Sequence, residues 1–399
     1  MEEIMPREGV STCPACSDFP TAHVPTFISS TLDGWMNDAL AQMPRFRRAM
    51  DRVHRFADSL EPILLRLAYV ACGKRTLSDP KGARTNRTLV LWQEAERRGI
   101  PMEQIAVFGT PSDYYRARIN NEWLYFEGLP IPRVGHAPYS WADDKKHFKL
   151  FLQANSIPCA DAFISSSLTK ARAAFERAEK PVVVKPRLGS RARHTTTYVQ
   201  TAEEFERAFR SAQQLCRQVL FETHLKGDLC RATVVDGRIV GFLRKVQPRV
   251  TGDGVKSVRK LVEAKNSAKL ERVSDIRMDA ENEEYIRRQG YGWDSVLENG
   301  KVLEISRHSG RMVGGATWEM PEDIHPKLRE IIERLVRLLD APVAGFDLII
   351  PDPETDPDTQ KWGILEANTL PFIDLHYNPL YGKTSNVASA IWDLWQKKG

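Results

Sequence analysis

The sequence has no apolar run long enough to span a membrane, and its first residues, MEEIMPREGV, are polar and acidic rather than those of a signal peptide. No charge of one sign dominates, because the net charge is only +5 over 399 residues. A balance this small permits anionic substrates but does not indicate nucleic-acid binding. We therefore expect a cytoplasmic protein with neither a membrane nor a nucleic acid as its partner.

Cysteine is also scarce, with 6 residues that are scattered along the chain. Scattered cysteines favour reduced thiols over a disulfide framework. Cys13-Pro-Ala-Cys16 has the spacing of half a zinc site, but no second Cys or His pair follows nearby, so a structural zinc site is not expected. The remaining composition, 42% hydrophobic and 27% charged, is typical of a globular protein with a large core and more than one domain.

The predicted secondary structure changes near residue 75, from helices to alternating strands and helices. Apolar residues recur with helical spacing over 31–67, which predicts amphipathic helices that pack on the core or on a partner. Over 76–140 we predict a small α/β domain, with a strand at 87–92, a helix ending at Gly99 and a second strand at 105–109. A hairpin-like segment follows at 118–126.

Two apolar stretches near the C-terminus, residues 343–350 and 363–371, are predicted strands with oxygen-bearing side chains. Asp347 lies inside the first, and Glu366 and Asn368 lie in the second. Residues two apart on a strand point to the same face, so Glu366 and Asn368 can face one point, with Asp347 joining them from the neighbouring strand. Such ligands suit Mg²⁺, which binds substrate phosphates as well as protein oxygens. Unrelated polar residues at strand ends are the alternative.

Two further segments carry charge in informative places. Lys185 ends the apolar run Pro181-Val-Val-Val, and a charge that follows a buried strand needs a partner. Residues 226–244 alternate on both sides of Asp236-Gly237, which is a strong hairpin signal. Arg231 and Arg244 lie on its two predicted strands.

The metal-type residues, Asp347 followed by Glu366-x-Asn368, resemble the metal site of the ATP-grasp ligases, such as glutathione synthetase, D-alanine–D-alanine ligase and cyanophycin synthetase. Residues 144–160 are similar to the family's entry helix and its following turn, with Ser156 in place of the usual Gly. Residues 248–262 and 307–317 resemble cyanophycin synthetase in particular. The resemblance covers roughly two thirds of the chain, from about residue 140 to 399.

The resemblance implies an α/β (α+β) architecture in which residues 141–399 form an ATP-grasp fold. Its nucleotide cleft would lie between about 141–225 and 226–399, after the α/β domain at 76–140 and the helical extension at 1–75. The pattern G-x-x-x-x-G-K-[ST] does not occur, so the second ligase module of cyanophycin synthetase is not expected. The resemblance also implies that the protein is a homo-oligomer, either a dimer or a tetramer.

The resemblance also implies roles for single residues. The nucleotide would be held by Lys145, Lys185, Gly189, Ser190 and Glu222, of which Glu222 is expected at the ribose hydroxyls. The loop over residues 187–196 departs from the family because Gly189 is its single glycine.

The same resemblance assigns Mg²⁺, with Mn²⁺ as the alternative ion, to Asp347, Glu366 and Asn368. Arg231 and Arg244 would converge on one cleft and stabilise an acyl phosphate, together with Arg307. The glycines at Gly189 and at Gly314-Gly315 would form lids.

The resemblance implies an ATP-dependent ligase that joins a carboxylate and an amine, with amino acids or short peptides as substrates. A kinase of the same fold, or a non-catalytic binding protein suggested by the glycine-poor loop, is the alternative. Retention of both lysines and of all three metal-type residues favours the enzyme.

Overall fold

The structure is a computed structural model that describes residues 13–16, 21–42, 44–71, 76–107, 110–133, 135–137, 139–189 and 192–396. Its α-helices are α1 (His23–Gln42), α2 (Pro44–Ala71), α3 (Asn86–Arg97), α4 (Lys145–Ala154), α5 (Leu168–Arg177), α6 (Ala202–Gln213), α7 (Val258–Ala268), α8 (Ala280–Arg288), α9 (Pro326–Leu339) and α10 (Val387–Gln396). No described helix combines the length and the apolar composition that crossing a bilayer requires.

The strands carry most of the candidate functional residues. They are β1 (Thr76–Leu77), β2 (Met102–Val107), β3 (Thr110–Ile119), β4 (Glu122–Glu127), β5 (Ala162–Ser165), β6 (Val182–Pro186), β7 (Thr196–Val199), β8 (Val219–Thr223), β9 (Asp228–Val235), β10 (Arg238–Val246), β11 (Arg249–Thr251), β12 (Val302–Glu304), β13 (Ala316–Glu319), β14 (Val343–Ile350), β15 (Gly363–Asn368) and β16 (Tyr381–Gly382).

The chain divides into two compact units. The first comprises the described residues of Met1–Asp58, Arg133–Leu225 and Trp362–Thr369. The second comprises those of Ser59–Pro132, Lys226–Lys361 and Leu370–Gly399.

The first unit is built on an antiparallel sheet with the strand order β5-β8-β6-β7, and α5 and α6 pack on it. α6 begins at a capping box in which Thr201 and Glu204 satisfy each other's backbone amides. Phe205 and Phe209 of this helix, four residues apart, therefore face the sheet and contribute to a buried aromatic core with Phe175.

The second unit contains a sheet in which β14, β9, β10, β13 and β16 follow one another. The β9–β10 hairpin is confirmed, and its turn residues Asp236 and Gly237 both have positive φ (+51° and +77°), as a two-residue hairpin turn requires. α9 packs on β9 and β10 through a buried stripe that includes Ile332. A second core joins α3 and α10, with Trp92 and Trp392 fully buried.

The predicted strand at 87–92 is wrong, because these residues lie in α3. Thr85 caps the helix by accepting a hydrogen bond from the amide of Thr88. Buried Leu91 and Ala95 then fall one helical turn apart, a spacing that a short apolar run conceals. The predicted helix end near Gly99 and the strand at 105–107 are confirmed, and residues 108–109 lie outside the described residues.

The helices predicted within residues 31–67 are confirmed as α1 and α2. Their apolar side chains are not all covered in this structure. Trp35 is 73% exposed and Phe56 is 63% exposed, so packing on the core does not account for either residue.

Candidate active site

Three lysines are buried together in the first unit. Lys145 and Lys149 lie four residues apart on one face of α4, and Lys185 comes from β6. Their exposures are 6%, 3% and 7%. Glu222 of β8 faces two of them, with Lys149 Nζ at 2.6 Å from Oε2 and Lys185 Nζ hydrogen-bonded to Oε1. Glu366 Oε2 lies 3.4 Å from Lys145 Nζ. We call these five residues the lysine cluster.

Glu222 is ionised in this setting. It is 2% exposed, and burial alone raises the pKa of a carboxyl group, but Lys149 and Lys185 outweigh burial and hold the pKa of Glu222 well below its usual range. Its oxygens therefore face lysines, and the predicted contact with ribose hydroxyls stays a prediction.

The loop after β6 begins beside the cluster. Lys145 Nζ donates a hydrogen bond to the carbonyl oxygen of Gly189 at 2.7 Å. Gly189 has φ of +125°, and a Cβ there would meet no atom within 4 Å, so this glycine is needed for its backbone conformation and not for space. Ser190, the next predicted nucleotide contact, lies outside the described residues.

Glu366 and Asn368 lie two apart on β15 and share a face of that strand, as predicted. The Asn368 amide is buried, and its nitrogen has no hydrogen-bond partner among the described residues. An unpaired N–H donor suits an acceptor such as a phosphate oxygen, whereas the Asn368 side-chain oxygen and the Glu366 carboxylate are the atoms that could bind a hard cation. Asp143 adds a carboxylate beside β15, where it accepts two hydrogen bonds from Thr369 (3.1 and 2.7 Å).

In the second unit, Arg231 and Asp347 lie directly opposite each other on β9 and β14. Arg231 Nε and Nη2 donate to the two oxygens of Asp347 at 2.5 and 2.7 Å. The side chains are 9% and 14% exposed, so the pair is largely shielded from water. A predicted catalytic arginine and a predicted metal ligand thus form one ion pair.

The prediction that Arg231 and Arg244 converge on one cleft is wrong. Directly opposed residues of neighbouring strands point to the same face, and successive residues alternate. Arg231 lies opposite Leu243, so Arg244 points to the other face of the sheet. The reason is a β-bulge between Ile239 and Gly241, where one extra residue shifts the register of the hairpin and reverses which residues share a face.

The same shift brings Lys245 to the face that Arg231 and Asp347 occupy. Burial lowers the pKa of Lys245, and the nearby carboxylates of Asp347 and Asp374 oppose that shift. Within the described residues the side-chain ammonium group of Lys245 has no hydrogen bond or ion pair. A partly desolvated ammonium group of this kind is well placed to meet an anion.

Arg244 instead borders a cavity of about 630 Å³ on the opposite face, together with Trp318 and Tyr381. Its guanidinium is held at 2.7 Å by Asp228, which also accepts a hydrogen bond from Arg249 at 2.9 Å. The indole and phenol rings are stacked with centroids 4.8 Å apart.

Arg307, the third predicted catalytic arginine, pairs with Glu281 at 2.6 Å, and the same carboxylate contacts His308 at 2.8 Å. The Arg307 side chain is 34% exposed. It lies in the second unit, on the segment that precedes Gly314 and Gly315.

The predicted α/β (α+β) fold class is confirmed by the mixture of helices and sheets and by comparison with a solved structure. A bifunctional glutathione synthetase from Pasteurella multocida superposes with a TM-score of 0.50 at 23% identity, over 78% of this chain and 43% of that chain. No protein-family model matches the sequence.

The chain is also similar in sequence to two kinds of characterised protein, as the resemblance predicted. It is 27% identical over 315 residues to cyanophycin synthetase from Nostoc sp., which covers 77% of this chain and 34% of that protein. It is 26% identical over 319 residues to the glutathione biosynthesis bifunctional protein of Listeria monocytogenes, which covers 77% of this chain and 41% of that protein. The chain therefore spans less than half the length of either relative.

Sequence reasoning missed Lys149 and Lys245. Lys149 could have been found from its position one helical turn after Lys145. No sequence pattern indicates the role of Lys245, because its orientation depends on the β-bulge in β10, which cannot be predicted from the local sequence.

Proposed function

We propose that the protein is an ATP-dependent ligase that forms an amide bond between a carboxylate and an amine, with amino acids or short peptides as substrates. The lysine cluster carries this proposal. Three buried ammonium groups face the carboxylates of Glu222 and Glu366, and the nearby Asp143, a carboxyl group whose pKa is raised by burial, offsets the third ammonium group only in part. Burying an uncompensated cation is costly, so the cluster favours a polyanionic ligand such as a nucleotide triphosphate.

The reaction needs two displacements. A carboxylate oxygen attacks the γ-phosphorus of ATP, the bond from that phosphorus to the β–γ bridging oxygen breaks, and ADP leaves. The amine then attacks the acyl carbon, phosphate leaves, and the nitrogen loses a proton to give the amide. Both steps ask the protein for positioning and for neutralisation of negative charge.

The residues divide between these tasks. Lys145 and Lys185 would hold the nucleotide phosphates, with the backbone at Gly189 beside them. Arg231 would face the transferred phosphoryl group, and the sheet register supports Lys245 rather than Arg244 as its companion. Arg307 would face a substrate carboxylate.

Oxygen donors suited to magnesium are present in both units. Glu366 and Asn368 would hold Mg²⁺ through their side-chain oxygens in the first unit, and Asp347 of the second unit stays a predicted ligand. The ion would supply neutralisation of phosphate charge. Asp347 can join such a site only if it shares its oxygens with Arg231 or releases that residue.

The test is ADP release from Mg-ATP with pools of amino acids and dipeptides, followed by mass spectrometry of the products. We expect ADP together with a product lighter by one water than its two substrates. A product heavier by one phosphate, formed without the amine, would contradict the ligase and support a kinase. Absence of turnover together with absence of ATP binding would contradict any nucleotide enzyme.

The matched pair of variants is Lys185→Ala and Lys170→Ala. Lys170 is exposed on α5 of the same unit, so its loss should leave ATP binding unchanged. Loss of the buried charge at Lys185 should weaken ATP binding by at least about tenfold, as expected for a charge-assisted contact of about 1.5–3 kcal/mol. Equal affinities in the two variants would contradict the proposed phosphate contact.

A further inference from the structure

Four potential metal ligands from separate stretches of the first unit meet at one point. Cys13 precedes a short 3₁₀ helix (Pro14–Cys16) that Cys16 ends, His23 begins α1, and His194 lies in the turn between β6 and β7. Their ligand atoms all lie within 4.8 Å of one another. Cys16 and His194 are 0% and 1% exposed.

Three sulfur–nitrogen distances match edges of a coordination tetrahedron. Cys16 Sγ lies 3.3 Å from His23 Nε2 and 3.4 Å from His194 Nε2, and Cys13 Sγ lies 3.6 Å from His194 Nε2. Zinc bonds of about 2.3 Å to sulfur and about 2.0 Å to nitrogen at tetrahedral angles place sulfur and nitrogen about 3.5 Å apart. One ion could therefore reach all four atoms with small adjustments.

A hydrogen bond from its other ring nitrogen fixes the orientation of the His194 imidazole. Its Nδ1 donates a hydrogen bond to the backbone carbonyl of Ser211 at 2.8 Å, which leaves the Nε2 lone pair directed at both sulfurs. Histidine ligands commonly donate their other nitrogen to a carbonyl in this way. The His194 amide also donates to the Ala15 carbonyl at 2.7 Å, so the backbone between the two cysteines is held against the histidine.

The chemistry of the set favours zinc over a redox pair. Cys13 and Cys16 are free thiols and not a disulfide. Two thiolates and two neutral imidazoles around Zn²⁺ have no net charge, which suits a site whose Cys16 and His194 are buried. Four protein ligands leave no open position, and this is typical of a structural site rather than a catalytic one.

We propose that Cys13, Cys16, His23 and His194 bind one Zn²⁺ in a closed structural site. The expectation that Cys13 and Cys16 lack a second pair is corrected here. His23 lies only seven residues after Cys16, and His194 arrives through the fold. The ion would tie the N-terminal segment to the turn after β6, and this inference does not depend on the ligase activity.

The first test is the zinc content of the full-length, tag-free protein purified without chelator, measured by inductively coupled plasma mass spectrometry. We expect one equivalent per chain, and background levels in Cys16→Ser and in His194→Asn. Cys159→Ser is the matched control, because Cys159 is a half-buried free cysteine outside the cluster, and it should retain the full equivalent. Equal zinc in the control and in both cluster variants would overturn the proposal.

A second measurement does not depend on variants that fold. Wild-type protein stripped of metal and titrated with Co²⁺ should develop thiolate-to-metal charge-transfer bands and the visible absorption of tetrahedral cobalt, and Zn²⁺ should displace both. Absence of these bands, or a native mass lower by two hydrogens because Cys13 and Cys16 are oxidised to a disulfide, would overturn the zinc site.

Discussion

Arg231 and Asp347 form a two-point ion pair across neighbouring strands, with Nε–Oδ1 at 2.5 Å and Nη2–Oδ2 at 2.7 Å. A guanidinium fork that matches both carboxylate oxygens fixes the orientation of each side chain. The residue proposed to face the phosphoryl group and a residue proposed to hold Mg²⁺ are therefore coupled. Removing either side chain changes the environment of the other.

We expect Arg231→Ala to lower kcat for ADP formation by about 10²–10³, the usual loss when one preorganised donor to a transition state is removed. The Arg231 guanidinium would then no longer compete with Mg²⁺ for the oxygens of Asp347. The Mg²⁺ concentration for half-maximal activity should therefore stay the same or fall. Arg231→Lys should not restore the rate, because an ammonium group cannot reproduce the fork. The measurement is ADP release over a range of Mg²⁺ concentrations.

The control for this variant is Arg277→Ala, whose side chain is 73% exposed in the same unit. It should retain wild-type kinetics. Activity of Arg231→Ala within twofold of the control would show that Arg231 has only a structural role.

Lys245 and Arg244 are neighbours in sequence but point to opposite faces of the sheet. Their alanine variants should therefore affect different kinetic parameters. Lys245→Ala should lower kcat by at least about tenfold, because it removes a positive charge beside Arg231. Arg244→Ala should act mainly on the KM of a substrate that enters the cavity bordered by Trp318. Initial-rate kinetics with each substrate varied in turn separate the two effects.

Lys245→Arg keeps the charge and should retain part of the rate, which distinguishes a role of charge from a role in packing. If Arg244→Ala abolished turnover while Lys245→Ala remained fully active, the original assignment of Arg244 would be correct. Thermal melting of each variant is needed as well, because Arg244 also pairs with Asp228.

Glu222 is expected to stabilise the first unit through its two buried lysines. Glu222→Gln leaves Lys149 and Lys185 without their counter-ion, and breaking a buried ion pair costs about 3–5 kcal/mol. Glu176→Gln is the control, since that side chain is 62% exposed on α5 and should change the free energy of unfolding by less than about 0.5 kcal/mol. Urea unfolding at neutral pH measures both.

The pH dependence of this effect has a definite sign. The folded-state pKa of Glu222 is depressed, so its contribution is complete above the unfolded-state pKa of about 4.3 and is lost as pH falls through the folded-state value. The difference in unfolding free energy between wild type and Glu222→Gln should therefore shrink in acid. A difference that is constant from pH 7 to pH 3 would show that the pKa of Glu222 is not depressed in the folded protein.

The sequence predicted those parts of the fold that local chemistry determines. The Asp236-Gly237 turn and the strand that carries Asp347 are both where alternation and turn residues placed them. Ser156 replaces the glycine that is usual in the family, and its φ of +52° gives the physical reason that glycine is usual there.

The wrong predictions concern contacts between side chains that no local sequence pattern indicates. A two-residue hairpin without a bulge would have placed Arg231 and Arg244 on the same face of the sheet. A single extra residue in β10 moves Arg244 to the opposite face. The partners of Cys13 and Cys16 include His194, which is 178 residues from Cys16 in sequence. Periodicity and spacing describe neighbours along the chain, whereas both errors concern neighbours in space.

Gly315 is predicted to belong to a lid, and the structure packs it closely. A Cβ at this position would lie 2.1 Å from the carbonyl oxygen of Val246 and 3.0 Å from that of Gly310. Backbone cannot give way as a flexible side chain can, so Gly315→Ala should destabilise the protein by about 1–3 kcal/mol. Gly292→Ala is the matched control, because its added Cβ would come no closer than 3.9 Å to the hydroxyl of Ser295. Equal unfolding free energies in the two variants would show that the close backbone approach at Gly315 does not limit its side chain.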